Sequence, residues 1–391
     1  MDRADLTLSA GPNDLSADVL AALGSPVLYH YDPVFQERFR SAEELIGQIF
    51  RTTSHEIILM QGEAVLGLEA AARAVVSPGM ACLNLVSGVF GKGFGYWLTA
   101  IGAELHEIEV GYDDAIDPAA VAAYLDAHPE IRMVSVVHSE TPSGTLNPVR
   151  ELGPIARAHD AVTIVDVVSS FGGIELEAEA WQLDLLVAGP QKCLGGPPGM
   201  SLMAVSEQAW AAIDRNPAAP RGSFLSMLDW REQWHGQGRF PYTPSVSDLH
   251  GVLAAAEALL AEGLDAAQAR HSRIAAAAWD GVEAMGLRPW PVRREIAAAC
   301  VTAIAMPEGL ADIQVRDYVR ARYGVQLSAG QGAGNLLRLG HMGATARPML
   351  MIAGLAAIGR SLADLGARVD IGAGLDAALA AISSSGQGSG R

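Results

Sequence analysis

Asp166 closes the apolar run VTIVD, and Lys192 follows a second run, LDLLVAG, in the string GPQKCLGGPPG. In open α/β sheets ligands sit beyond the carboxyl ends of the strands, so polar residues that end such runs are the first candidates for chemistry. A carboxylate placed there can keep a pyridine nitrogen protonated and make the ring an electron sink. A lysine nearby can condense with an aldehyde as a Schiff base. Together they suit pyridoxal chemistry. A helix-capping aspartate beside a surface lysine would read the same way, so the pair gains weight only from what surrounds it.

The elements that must position these residues are legible between about residues 57 and 206. Short apolar runs at 57–60, 82–86, 105–110, 133–138, 162–168, 183–188 and 200–205 alternate with longer helical stretches. Several are continuous Val, Ile and Leu, as expected of strands covered on both faces. In AVLGLEAAARAVV, Val65, Leu68, Ala72, Val75 and Val76 fall on one helical stripe. Repeats of this kind predict an α/β fold with a mainly parallel seven-stranded sheet and helices on both faces. After about residue 250 the rhythm changes. One long alanine-rich helix over 252–285 leads to a strand at 298–305, a helix around 313–323, short strands near Val325 and Leu336, and a helix in MLMIAGLAAIGRSLADLG. The expected organisation is a large domain (1–250), a smaller α+β carboxyl-terminal domain (251–382) and an unstructured tail, SSSGQGSGR (383–391).

Composition narrows the partners. The 391 residues are 50% hydrophobic and 18% charged, with a net charge of −17 and no basic run. Nucleic acid and anionic membranes are therefore not expected, and small molecules are. No stretch has the length and apolarity of a membrane span or a leader peptide, and the three cysteines, Cys82, Cys193 and Cys300, are too scattered for a disulfide framework or a zinc site. A cytoplasmic protein without a metal is the expectation.

Four strings occur in order: HSETPSGTLNP from His138, VDVVSSFGG from Val165, GPQKCLGGPPG from Gly189 and LLRLGHMG from Leu336. Together they resemble the class V aminotransferases, the alanine–glyoxylate and serine–pyruvate group, over nearly the whole chain. The resemblance implies the fold-type I architecture of pyridoxal-phosphate-dependent transferases. It implies Lys192 as the Schiff-base lysine and proton shuttle, Asp166 as the pyridinium partner, and Val168 and Phe90 packed on the two ring faces. Thr141 would be a hydroxyl donor near the ring oxygen, and Gln191 and Ala64 would join the cofactor-binding set. Arg338 would grip the substrate carboxylate, where a planar bidentate donor discriminates best. A homodimer or homotetramer is implied, because sites of this family are completed across a subunit interface.

One position departs from the family. The loop MQGEAVLG opens a helix whose amino terminus suits an anion. Most members place a small hydroxyl residue there to hold the cofactor phosphate, and this chain has Glu63. Phe240, in PYTPS, stands where many relatives donate a tyrosine hydroxyl to that phosphate from the neighbouring subunit, though Thr243 remains. The stretches LYHYDPVF, GEAVLGLEAA, SGVFGKGFGYW and PYTPSVS resemble a branch of the family in which unphosphorylated pyridoxamine is itself the substrate. By that resemblance Glu63 would bond the 5′-hydroxymethyl group and Tyr29 would lie at the substrate entrance. The reaction implied is pyridoxamine plus pyruvate giving pyridoxal plus L-alanine, a step of vitamin B6 degradation. Gln331, in SAGQGAGN, follows the ordinary class V pattern beside the substrate. The competing readings are a pyridoxal 5′-phosphate-dependent alanine–glyoxylate or serine–pyruvate aminotransferase and a non-catalytic vitamer sensor. A cysteine desulfurase fits less well, since Cys300 lies in the apolar run AACVTAIA rather than on a mobile loop.

Overall fold

All seven apolar runs of the first half become strands of one sheet. The structure, a computed structural model, describes residues 4–384. A two-residue strand β1 (Leu6–Thr7) precedes helices α1 (Ala17–Leu23) and α2 (Pro33–Phe50). Strands and helices then alternate as β2 (Glu56–Gln61), α3 (Ala64–Val75), β3 (Ala81–Val86), α4 (Val89–Ile101), β4 (Glu104–Glu109), α5 (Pro118–Ala127) and β5 (Met133–Val137). A small hairpin, β6 (Ser139–Glu140) and β7 (Thr145–Leu146), leads to α6 (Val149–Ala158), β8 (Val162–Asp166), β9 (Leu185–Ala188) and β10 (Met200–Val205).

The sheet order is β2-β10-β9-β8-β5-β3-β4, parallel except for β10, which runs antiparallel to both neighbours. Strands β3, β5, β8, β9 and β10 are buried along their whole length, which is why their sequences are mostly apolar on both faces rather than alternating. The edge strand β4 instead carries Glu104, Glu107 and Glu109, charges that discourage pairing with another sheet.

Three short elements follow, α7 (Glu207–Arg215), α8 (Met227–Asp229) and a π-helical turn (Trp230–His235), before α9 (Val246–Glu262) and α10 (Leu264–Ala284). The single long helix expected over 252–285 is thus two helices. Gly263, at φ +90°, breaks it with a backbone conformation that residues with a Cβ rarely adopt. The break also moves the domain boundary expected at 250. Helix α9 packs on α1 and α2, and its Leu249, Val252, Ala256 and Leu259 join the core of the sheet domain.

The second domain contains α10, β11 (Val301–Ala305), α11 (Asp312–Tyr323), β12 (Val325–Gln326), β13 (Ser328–Ala329), β14 (Leu336–Gly340), α12 (Pro348–Asp364) and α13 (Ile371–Ser384). Strands β11, β14 and β13 form an antiparallel sheet with β14 in the middle. Its core also takes in the start of the chain. Leu6 and Thr7 pair in parallel with Val325 and Gln326, and Leu8 is buried among Leu337, Leu339 and Leu355. The first residues thus belong with the smaller domain, not the larger one. Helix α13, which packs along α10, was not anticipated, and it takes Ser383 and Ser384 out of the expected tail. The remainder of that tail, from residue 385, lies outside the described residues.

Candidate active site

Strands β8 and β9 are parallel neighbours, with Asp166 opposite Val187, so the turns leaving them open on the same side of the sheet. Asp166 is the last residue of β8 and is buried; its Oδ1 accepts a hydrogen bond from the Val168 N–H at 2.9 Å. Burial pushes its pKa up to about 6, against the pull of that bond and of the Lys192 charge, while the Glu63 charge pushes the same way as burial. No described cation forms an ion pair with it, so the carboxylate is a strong acceptor for a proton carried by a bound ring.

Lys192 lies in the turn after β9. Its Nζ donates to the Ala10 carbonyl at 2.8 Å and to Thr141 Oγ1 at 3.4 Å. Burial, and then the nearby Arg338 charge, hold its pKa below the ordinary lysine range, which favours the neutral nucleophilic amine. Thr141 and Ser169 are buried and share a hydroxyl–hydroxyl contact in which either oxygen can donate. Val168 is buried at the end of the β8 turn. Phe90, in the first turn of α4, remains 36% exposed. Asp166 and Phe90 line one cavity of about 420 Å³ with Val65, Asn84, Val137 and Trp97. A flat ring entering that cleft would meet a carboxylate at its nitrogen edge and an aromatic face.

The phosphate side is organised around Glu63. Gly62, at φ +132°, turns the chain out of β2, and Ser201 Oγ pins the turn by donating toward the Gly62 and Glu63 carbonyls while accepting from the Gly67 N–H. Glu63 is the N-cap of α3: Oε2 accepts from the Val65 N–H at 2.8 Å, and Oε1 accepts from Gln191 Nε2 at 2.6 Å. The Val65 N–H and the Gln191 amide, two donors suited to an anion at this helix start, are thus engaged by the protein's own carboxylate. Gln191 is buried and its Oε1 has no partner. Ala64 is buried in the first turn of α3.

Arg338 sits in the central strand β14, opposite Ala303 and Ser328. It is only 4% exposed, its Nε has no hydrogen-bond partner, and it makes no ion pair among the described residues. Burial lowers its pKa to about 10, helped by the Arg316 charge. An unpaired buried guanidinium is costly unless an anion completes it, which fits a carboxylate-binding role. Gln331, at φ +49°, lies in the Gly-rich loop that precedes this strand, and the next residue, Gly332, lies against Val89 at the start of α4. The loop therefore borders the cleft beside Phe90.

Three of the expected site residues are not gathered here. Tyr29 is 66% exposed and packs on His30 and Tyr31, and Thr243 is exposed. Phe240 is a correction to the reading of PYTPS. Its ring is 5% exposed, stacked on Trp234 at 4.1 Å and edged by Phe39 and Phe35, because a ring without a hydroxyl gains most by burial in that aromatic core. His138 and His341 are buried, bonded to Ser170 and Thr302, with burial pushing them down to about 4 and about 3, so both are neutral structural groups.

The structure adds residues that sequence reasoning missed. Gly11 packs so closely on the Lys192 stem that a Cβ there would lie 2.3 Å from Cδ, and Asn13 Nδ2 donates to the Lys192 and Met342 carbonyls. The signal was present in the string SAGPN, a Gly-Pro turn, but nothing in one dimension joins residue 11 to residue 192. Ser201 is hidden in the same way, as a hydroxyl inside an apolar strand.

The family model described as Aminotransferase class-V matches residues 16–354. The chain is 48% identical over 379 residues to a pyridoxamine–pyruvate transaminase of Mesorhizobium japonicum, covering 96% of each chain. It is 30% identical to an alanine–glyoxylate aminotransferase of Drosophila melanogaster, covering 87% of each. Among solved structures, pyridoxamine–pyruvate aminotransferase from Mesorhizobium loti superposes with a TM-score of 0.96 at 47% identity, covering 98% of both chains. Ureidoglycine–glyoxylate aminotransferase from Bacillus subtilis superposes at 0.91 with 27% identity, covering 96% of this chain and 97% of that one.

Proposed function

Because this chain belongs to the class V aminotransferases, an enzyme family with the fold-type I architecture, we propose that it moves the amino group of unphosphorylated pyridoxamine to pyruvate, giving pyridoxal and L-alanine. The reaction would serve vitamer degradation, since the product aldehyde leaves the enzyme. The observation that carries the reading is Glu63. Its carboxylate occupies the amino terminus of α3 and takes the Val65 N–H and the Gln191 amide that a phosphate would otherwise use. The similarity to Mesorhizobium pyridoxamine–pyruvate transaminase, in sequence and in structure, supports the same donor and acceptor.

The residues present fit a pyridoxal-type ring. A bound pyridine ring supplies an electron sink for the carbon that gains or loses the amine. Asp166 holds the proton at the ring nitrogen, and its burial makes that hold strong. Lys192 Nζ, its pKa held below the ordinary lysine range by burial and the Arg338 charge, is the group that would move a proton between the ring's C4′ and the Cα of the amino acid. The Ala10 carbonyl and Thr141 hydroxyl aim that amine. Arg338 binds the carboxylate of pyruvate, and the Phe90 and Val168 side chains flank the ring and exclude water from its faces. Glu63 accepts from the 5′-hydroxymethyl group. We also propose that a second copy completes the site, for Phe90, which lines the cleft, remains 36% exposed in one chain. No helix among the described residues is long and apolar enough to cross a membrane, and three buried free thiols suit a reducing cytoplasm.

The test is purification without added vitamin, followed by an absorption spectrum and assay with pyridoxamine and pyruvate. A nearly colourless protein that forms pyridoxal and alanine is expected. A yellow protein that retains pyridoxal 5′-phosphate, is inert to pyridoxamine and turns over alanine with glyoxylate would overturn the assignment.

A further inference from the structure

Helix α4 begins at Gly88, which has no side chain, so the helix has no cap of its own. The cap arrives from fifty residues away. Glu140, in β6 and fully buried, accepts the Gly91 N–H on Oε1 at 2.7 Å and the Phe90 N–H on Oε2 at 3.2 Å. Asn84 holds the same turn by donating to the Gly91 carbonyl at 3.0 Å. The fit is tight: a Cβ on Gly88 would lie 2.3 Å from Glu140 Cδ. The residue whose backbone Glu140 grips is Phe90, and Phe90 lines the same cavity as Asp166. No described cation pairs with the Glu140 carboxylate, so the helix amino terminus is its only charge compensation. Burial pushes its pKa up to about 7, opposed by the two backbone bonds and aided by the Asp166 charge.

We propose that Glu140 is a positioning residue for ring binding: by clamping the first turn of α4 it fixes the Phe90 ring over the pyridine face. A carboxylate is needed because two adjacent N–H groups must be met by two acceptors. A glutamine offers only one and turns an NH₂ toward the second donor. The clamp spans β6 and α4 and so ties the Phe90 turn to the loop that bears Thr141, which places both ring contacts in one rigid unit.

The proposal depends on a pyridoxal-type ring in this cleft, as in the function proposed above, but not on whether that ring carries a phosphate. The experiment is a double-mutant cycle of Glu140→Gln with Phe90→Ala, read by absorbance titration of the full chain with pyridoxal and, in parallel, with pyridoxal 5′-phosphate, plus the KM for pyruvate. Glu140→Gln alone is expected to raise the ring Kd about tenfold with the pyruvate KM unchanged. In the Phe90→Ala background the same change is expected to add less than about twofold, because its route through Phe90 is already lost. Full multiplication of the two effects, an unchanged ring Kd, or an equal rise in the pyruvate KM would overturn the proposal. Should the glutamine variant not fold, Glu140→Asp, which keeps the charge but withdraws it by one methylene, carries the same test. Preference for the phosphorylated ring with the cycle still non-additive would refute the substrate assignment and leave the clamp standing.

Discussion

Replacing Glu63 by serine is the most searching perturbation of this site. The carboxylate takes two donors, the Val65 N–H at 2.8 Å and Gln191 Nε2 at 2.6 Å, at the amino terminus of α3. Serine still caps a helix well, so the fold is retained and the melting temperature changes little. What changes is the charge. A carboxylate and a phosphate about 4 Å apart repel by roughly 1 kcal/mol at the dielectric of water and roughly 4 kcal/mol at an effective dielectric near 20. Glu63 is exposed in one chain, so the true figure lies between these limits. Removing that repulsion and freeing two donors is expected to tighten pyridoxal 5′-phosphate by about fivefold to several hundredfold. The same change removes a charged hydrogen bond to the 5′-hydroxyl, worth about 1.5–3 kcal/mol, and should weaken pyridoxal by about tenfold to a hundredfold. Titration of the wild type, Glu63→Ser and Glu63→Gln with both vitamers, followed by absorbance, reads the crossover. The glutamine variant, neutral but of equal size, separates charge from space. Unchanged affinities for both rings in Glu63→Ser, or wild-type protein that prefers the phosphorylated ring, would refute the reasoning.

Other expectations follow from the same geometry. Leucine at Arg338 should raise the pyruvate KM by about tenfold to a hundredfold while leaving pyridoxal binding near the wild-type value, as steady-state kinetics and titration would show. The chain contains only two lysines, Lys92 and Lys192. Hydrogen bonds from Lys92 to Glu107 and Glu109 hold its proton well above the ordinary lysine range, so borohydride reduction with excess pyridoxal should place the adduct on Lys192 and not on Lys92 by peptide mass spectrometry. The His235 imidazole, in the π-helical turn, contacts Glu43 and Glu56; burial lowers its pKa, but the two carboxylates prevail and bring it to about 9. A raised histidine stabilises the fold fully below its unfolded pKa near 6.5 and progressively less as pH climbs through about 9. Thermal melts between pH 7 and pH 10 should therefore fall more steeply for the wild type than for His235→Gln.

How far the sequence alone reaches is clearest at particular residues. Five of the seven strands were legible because burial on both faces leaves a mostly apolar run, and Asp166 and Lys192 were legible because strand ends are where such sheets present chemistry. Glu63 was legible as an oddity, a charge at a helix start that suits an anion. These are local properties, written in composition and spacing. Tertiary structure alone decided the rest. It brought the Ala10 carbonyl and Gly11 onto Lys192, set Glu140 as the cap of a helix fifty residues away, broke one expected helix at Gly263, and carried the first residues into the smaller domain. Phe240 shows the limit most directly: alignment with a phosphate-binding tyrosine set it among the ring-binding residues, while packing against Trp234, Phe39 and Phe35 holds it in the aromatic core. Periodicity reports which face of an element is apolar; which distant backbone group meets a given side chain is fixed only when the chain closes on itself and every buried polar atom must find a partner.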